Sequence, residues 1–335
     1  MATTASFYKK VFHFKRPSGT SRGVLTEKLS WFLEVWNEEN PSIKGIGECS
    51  VIPGLSPDFF NEESYEAKLN SVIGDLDQDL EEWPSIKFGV ETAIMDLRQG
   101  GKGIIFNNAF SRGEQHIPIN GLIWMGDEAF MKEQIEEKLA LGFTTLKMKI
   151  GAIDFDTEIQ LLKSIRARYS KAEITLRVDA NGAFSPESAL DKLQQLAELD
   201  IHSIEQPIKA GHWDKMNKLC RETPIDIALD EELIGVNNYS QKIELLNMIQ
   251  PQYIILKPSL HGGIWGCYDW IDLAQERSIP WWMTSALESN VGLNAICQFT
   301  AEFDNELPQG LGTGSLYVDN IPSRLHVENG EIYLK

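Results

Sequence analysis

The chain has 335 residues, 42% hydrophobic and 24% charged, and carries a net charge of −18 from 49 acidic and 31 basic side chains. That length allows one large domain or two ordinary ones of ~100–200 residues, with apolar material for a sizeable core. The acidity and the lack of a basic stripe exclude a nucleic-acid binder, and no run approaches the ~18 consecutive apolar residues of a membrane span.

Taken in chain order, Ser6–Lys15, Thr26–Trp36 and Gly45–Cys49 read as strands, separated by polar, glycine-containing loops at 17–23 and 51–58. Helices are predicted over Glu62–Leu80 and Ser85–Leu97, so residues 1–112 form an α+β unit. The N-terminus lacks the apolar stretch of a signal peptide. Cys49, Cys220, Cys267 and Cys297 form no C-x-x-C pair and read as reduced, buried thiols of a cytoplasmic protein.

From Ile117 the pattern changes. Short β-rich runs at 117–123, 144–150, 174–180, 203–207, 225–232, 253–259, 279–285 and 309–314 alternate with amphipathic segments such as Glu128–Leu141 and Ser185–Leu199. Seven successive β-to-α crossovers predict a parallel sheet. Eight evenly spaced strands predict a modified TIM barrel, (β/α)7β, over residues 113–314. Residues 315–335 are left as a segment packing back on the N-terminal unit.

The polar residues carry the chemistry. Lys149, Asp179, Glu205, Asp230, Lys257 and Ser285 each fall near the end of a predicted strand, separated by 30, 26, 25, 27 and 28 residues. One such residue per βα unit at nearly constant phase places them on the catalytic face of a barrel. A single acid there caps a helix or pairs with a surface arginine about as often as not. Asp179, Glu205 and Asp230, in phase on consecutive strands, repel one another unless a cation lies between them, and oxygen-only donors suit Mg2+. The six histidines show no paired spacing for zinc. Lys147 and Lys149 point to one face of their strand, and Lys257 comes from four strands further round. A lone K-x-K is usually a solvated edge, but this strand is predicted to be central. Lysines on opposite walls with a divalent ion between them suit removal of a proton α to a substrate carboxylate, with the ion holding the enediolate.

At these residues the chain resembles the muconate lactonizing subgroup of the enolase superfamily. The motifs are K-M-K (147–149), D-A-N (179–181), E-Q-P (205–207), L-D-E (229–231) and L-K-P (256–258). The segments TSRG (20–23), GIGECSVIPGLS (45–56), PSIKFGVETAIMDL (84–97) and TSALESNVGL (284–293) are most similar to those of the o-succinylbenzoate synthase family. The resemblance implies that the N-terminal unit caps the barrel, with the loops at 17–23 and 51–58 closing over a succinyl arm. It implies Mg2+, replaceable by Mn2+, on Asp179, Glu205 and Asp230, with Asn181 and Glu231 behind them. Lys149 would be the base, Lys257 would stabilise the anion from the opposite face, and Lys147 would stand beside them. Arg22, Arg177 and Ser285 would contact substrate. The activity implied is syn dehydration of 2-succinyl-6-hydroxy-2,4-cyclohexadiene-1-carboxylate to 2-succinylbenzoate in menaquinone synthesis, by a lyase acting on a small-molecule carboxylate. A homo-oligomer is left open.

N-acylamino acid racemases and dipeptide epimerases share the barrel motifs and would use both lysines as bases. Against an epimerase, GLGTGSLY (310–317) stands where a dipeptide enzyme carries Asp-x-Asp. Cys49-Ser-Val-Ile replaces an Ala-Pro-Leu-type stretch, a departure that bears on the capping pocket alone.

Overall fold

The computed structural model describes residues 3–20 and 23–335. Strands β1 (Thr3–Thr20), β2 (Gly23–Asn37) and β3 (Asn40–Val51) form an antiparallel sheet in sequence order. The loop expected at 17–23 is largely strand, because Ser18, Gly19 and Thr20 pair with Leu25, Val24 and Gly23 after a register shift that follows His13. Backbone pairing carries β1 through a polar stretch that side-chain pattern alone marks as loop.

Helices α1 (Glu62–Gly74) and α2 (Pro84–Arg98) follow. Asn61 starts α1 by accepting the Ser64 N–H, and α1 ends earlier than its sequence predicts, where Asp75 turns extended. Helix α2 lies hard against β3. Gly45 and Gly47, two apart and so on one face, leave room for it: a Cβ at Gly47 would sit 1.8 Å from the Gly89 carbonyl oxygen. Gly47→Ala should therefore destabilise the N-terminal unit by about 3 kcal/mol, the upper range for overpacking a tight contact. A denaturant melt with an unchanged midpoint would show that α2 can withdraw freely.

The second unit begins with β4 (Ile117–Pro118) and β5 (Gly121–Ile123), then α3 (Glu128–Ala140), β6 (Thr145–Lys149), α4 (Phe155–Arg166), β7 (Thr175–Asp179) and α5 (Pro186–Ala197). It continues through β8 (Ile201–Glu205), α6 (Trp213–Glu222), β9 (Asp226–Leu229), α7 (Tyr239–Ile249), β10 (Tyr253–Leu256), α8 (Gly263–Glu276), β11 (Trp281–Met283) and α9 (Asn290–Thr300). Asp127, Asp154, Ser185, Asn238 and Ser289 each accept a backbone N–H at a helix start, which fixes where the chain turns from strand to helix.

Strands β5 to β11 form one curled parallel sheet in chain order. The run predicted as one strand at 117–123 is split, β4 leaving the barrel sheet for a separate one. The eighth strand expected over 309–314 is reduced to isolated bridges, Ile119 with Gln309 and Thr284 with Gly310. Glycines at 310, 312 and 314 supply no side chains to pack there, so the ladder does not extend.

The C-terminal segment touches both units. Tyr317 bridges Phe14 of β1, whereas β12 (Leu325–Glu328) and β13 (Glu331–Leu334) form a hairpin that pairs with β4. Besides the core of each unit, Phe12, Phe32 and Ile52 pack with Trp124, Leu260, Leu287 and Tyr317, joining the two. The four cysteines are buried and free. Among the described residues, no helix is long and apolar enough to cross a membrane.

Candidate active site

Strand register builds the site. Lys149, Asp179 and Glu205 are the last residues of β6, β7 and β8 and lie side by side, Lys149 opposite Asp179 and Asp179 opposite Glu205. Asp230 and Lys257 follow directly after β9 and β10, and Ser285 comes two residues after β11. All six are buried. Above them opens a pocket walled by Lys147, Lys149, Asp179, Asn181 and Lys257, by Trp124 and Ser285–Leu287 of the barrel, and by 23–25 with Ile52, Pro53 and Leu55 of the N-terminal unit.

Lysines and acids interleave. The Lys149 ammonium donates to Asp179 Oδ2 at 2.9 Å and Asn181 Oδ1 at 2.7 Å, and stands 5.9 Å from the Trp124 ring centre. Lys147 bonds Glu205 Oε2 and lies 3.2 Å from Asp179 Oδ2. Lys257, four strands round the sheet from Lys149, donates to both Asp230 oxygens at 2.6 and 2.5 Å. Among the described residues, no three acidic, histidine or cysteine side chains stand ready as an ion cage. The sequence suggests three acids converging on one point; here ammonium groups stand between them.

The charges perturb one another. Burial alone would lower the Lys147 pKa, but Asp179, Glu205 and Asp230 outweigh it and hold the ammonium above its ordinary value. Burial also opposes ionisation of Asp179 and Asp230. The lysines overcome it, Lys147 and Lys149 at Asp179 and Lys257 and Lys147 at Asp230, so both carboxyls lie below the usual range. Glu205 goes the other way: burial, reinforced by Asp179 and Asp230 against Lys147, pushes it up to about 7. Its Oε1 is buried and accepts no hydrogen bond. A buried carboxylate oxygen left over beside two other carboxylates fits a further hard cation, and the donor set is oxygen only.

Asn181 lines the pocket and links Asp179 to Glu231: its N–H donates to Asp179 Oδ1 and its amide Nδ2 to Glu231 Oε1, both at 3.0 Å. Ser285 lines the pocket, but its hydroxyl is turned into its own loop and donates to Glu288 Oε2 at 2.6 Å. Arg177 is not on the pocket wall. It is fully buried one layer deeper, donating to the Pro308 carbonyl at 2.7 Å with its guanidinium 4.1 Å from the Trp282 ring centre. Packing against Trp282 takes it to the barrel interior, so the expected substrate contact has no basis in its position. Arg22 lies outside the described residues.

Three further residues escape sequence reasoning. Gln206, held at φ 37°, accepts the Asp230 and Glu232 N–H groups at 3.2 Å and donates to Glu232 Oε2 at 2.9 Å, so it braces the turn that carries Asp230. Its place between Glu205 and Pro207 was the available signal. Glu232, the third acid of 230–232, completes that brace by accepting Gly211 N–H at 2.7 Å. His261 Nδ1 accepts the Lys257 N–H at 3.0 Å, and burial drives its imidazole down to about 3, so it stays neutral and can accept.

Residues 130–335 match the family model described as enolase C-terminal domain-like. The chain is 46% identical to an o-succinylbenzoate synthase of Desulfotalea psychrophila, over 97% of each chain. It is 25% identical to an o-succinylbenzoate synthase of Bacillus subtilis, over 98% of this chain and 90% of that one. The crystal structure of MenC from Desulfotalea psychrophila superposes over 100% of both chains at 42% identity, with a TM-score of 0.88.

Proposed function

The chain belongs to the o-succinylbenzoate synthase family of the enolase superfamily, a family of hydro-lyases that act in menaquinone biosynthesis, and from that premise we propose how its own residues perform the dehydration. The substrate is 2-succinyl-6-hydroxy-2,4-cyclohexadiene-1-carboxylate and the product 2-succinylbenzoate. Enzymes of this superfamily use a divalent metal. In this chain Asp179, Glu205 and Asp230 would hold it, and we take the ion to be Mg2+, with Mn2+ able to substitute. When bound, it supplies positive charge to the ring carboxylate of the substrate.

Lys149 removes the proton α to that carboxylate. The departing hydroxide leaves on the same face, so the protonated Lys149 can return the proton to it. Asn181 and Asp179 fix the Lys149 amine through two hydrogen bonds. Lys257 faces the ring from the opposite wall as a fixed positive charge, and Lys147 keeps Glu205 and Asp179 in place. Ile52, Pro53 and Leu55 from the N-terminal unit cover the ring with apolar surface, and Val24 and Leu25 close beside them. On this reading residues 1–112 cap, 113–314 catalyse, and Arg22 serves the succinyl arm. The product gains aromaticity, so the site has to accelerate one proton removal and one C–O cleavage.

The observation that carries this reading is the pair of lysines on opposite walls, β6 and just past β10, flanking three buried carboxylates. Purified protein incubated with the cyclohexadiene substrate and Mg2+ should yield the aromatic product, followed by absorbance. Excess chelator should stop it, and Mg2+ or Mn2+ should restore it. Full turnover in excess chelator would overturn the metal assignment. Racemisation of N-acylamino acids with no aromatic product would overturn the reaction.

A further inference from the structure

A fully buried polar cluster lies off the reaction path, where the N-terminal sheet meets the barrel. Glu48 on β3 has no exposed surface and takes four donors. Its Oε1 accepts the Ser30 hydroxyl at 2.7 Å and the Ser289 N–H at 2.9 Å. Its Oε2 accepts the Ser289 hydroxyl at 2.6 Å and the Gly292 N–H at 2.9 Å. Ser289 caps α9, so a carboxylate of the N-terminal unit completes the start of a barrel helix. Residue 292 must be small for this: a Cβ there would come within 2.8 Å of the Glu288 side chain and 3.0 Å of Glu48 Oε2.

The same cluster reaches the pocket from two directions. On the barrel side, Glu288 precedes Ser289, and its carboxylate accepts the hydroxyls of Ser259 at 2.5 Å and Ser285 at 2.6 Å. Ser285, Ala286 and Leu287 line the pocket. Leu287 is held at φ +64°, a left-handed conformation costly for leucine, by the Ser285 hydroxyl on its N–H and the Tyr317 hydroxyl on its carbonyl. On the capping side, buried Lys28 donates to Ser50 at 2.5 Å and to the Val51 carbonyl at 2.7 Å, pinning the end of β3 just before the pocket residues Ile52, Pro53 and Leu55. Glu48 is three residues before that end, and it bonds directly to Ser289, the helix cap two residues after the strained Leu287.

We propose that Glu48 is a positioning residue that sets the Ile52–Leu55 wall of the cap against the Ser285–Leu287 wall of the barrel, and so fixes the width of the pocket that grips substrate. Its hydrogen bonds go to Ser30, Ser289 and Gly292, and to none of Lys149, Asp179, Glu205 or Lys257. Its effect therefore falls on binding and not on proton removal. This rests on the pocket being the substrate site of the dehydration proposed above.

The test is steady-state dehydration by Glu48→Gln, Ser289→Ala and Val72→Ala beside wild type, well below each variant's melting temperature. The serine hydroxyls can turn to accept from an amide NH2, but glutamine has one acceptor oxygen for the two backbone N–H groups of Ser289 and Gly292, which sit on different oxygens of Glu48, so one of them is left facing a donor. Glu48→Gln should raise KM about tenfold or more while kcat changes less than about threefold. Val72→Ala, in the core of the N-terminal unit, should lower the melting temperature and leave KM alone. Ser289→Ala keeps the Glu48 charge and removes one donor, so it should raise KM by a smaller factor, and it decides the matter if Glu48→Gln does not fold. An unchanged KM in the folded Glu48→Gln protein, or a KM rise of the same size in Val72→Ala, would overturn the proposal. A wild-type enzyme that does not dehydrate would instead overturn the functional reading.

Discussion

Replacing Glu205 by glutamine should lower kcat by about a thousandfold, the equivalent of about 4 kcal/mol of charge stabilisation, while the protein stays folded. The structure gives a reason for each half. Glu205 is wholly buried beside Asp179 and Asp230, and burial and those neighbours already disfavour its charge. Glutamine keeps the shape, and its carbonyl oxygen can still accept from Lys147. Its Nε2–H2 would take the place of Oε1, which has no donor now and faces a carboxylate-rich surrounding. Lys147 keeps Asp179 as a charged partner, and the amide is close to isosteric with the carboxyl, so the protein should still fold and melt cooperatively. Ion binding should fail, because a charged ligand is gone. The checks are kcat at saturating Mg2+, a thermal melt, and Mn2+ binding followed directly. Near wild-type kcat with normal Mn2+ affinity would remove Glu205 from the ligand set. A collapse of thermal stability would make its role structural.

The phase of the strand ends was legible in the sequence because a barrel repeats its geometry. Once β6 to β10 are read as equivalent units, one polar residue at each C-terminal end marks a single ring. Depth within the barrel was not legible. Alternation along a strand gives the face a side chain shares, and Arg177 shares that of Asp179, two residues on. In the ladder Arg177 lies opposite Lys147. Lys147 reaches up to Glu205 and Asp179, whereas Arg177 packs on Trp282 and donates to Pro308, partners that come from distant segments. No pattern local to ITLRVDA distinguishes the two directions. The bracing of the site was hidden for the same reason. Gln206 and Glu232 meet across two loops, and Glu48 meets Ser289 across 241 residues of chain. The missing eighth strand is a case of propensity against pattern: 309–314 falls at the right interval, but its glycines give a ladder little to hold.

The lysines separate dehydration from racemisation, and Lys257→Arg should do so most clearly. Dehydration on one face needs one base. On the proposed reading that base is Lys149, which Asp179 and Asn181 hold by hydrogen bonds, so Lys149→Ala should reduce dehydration by about ten-thousandfold, the upper range for loss of a general base. On the same reading Lys257 acts through charge. Its ammonium already contacts both oxygens of Asp230, the two-point arrangement that a guanidinium fork matches. Arginine there keeps the positive charge but stays protonated and cannot exchange a proton with substrate. Lys257→Arg should therefore dehydrate at least about tenfold faster than Lys257→Ala, a difference of roughly 1.4 kcal/mol in the barrier. Racemisation needs proton exchange from both faces, and any such activity of the wild type should vanish in Lys257→Arg and Lys257→Ala alike. Exchange of the substrate α-proton with deuterated solvent reads the base directly. It should disappear in Lys149→Ala and persist in Lys257→Arg. Dehydration surviving in Lys149→Ala would give the base to another residue, with Lys147 and Lys257, the other lysines lining the pocket, as the candidates.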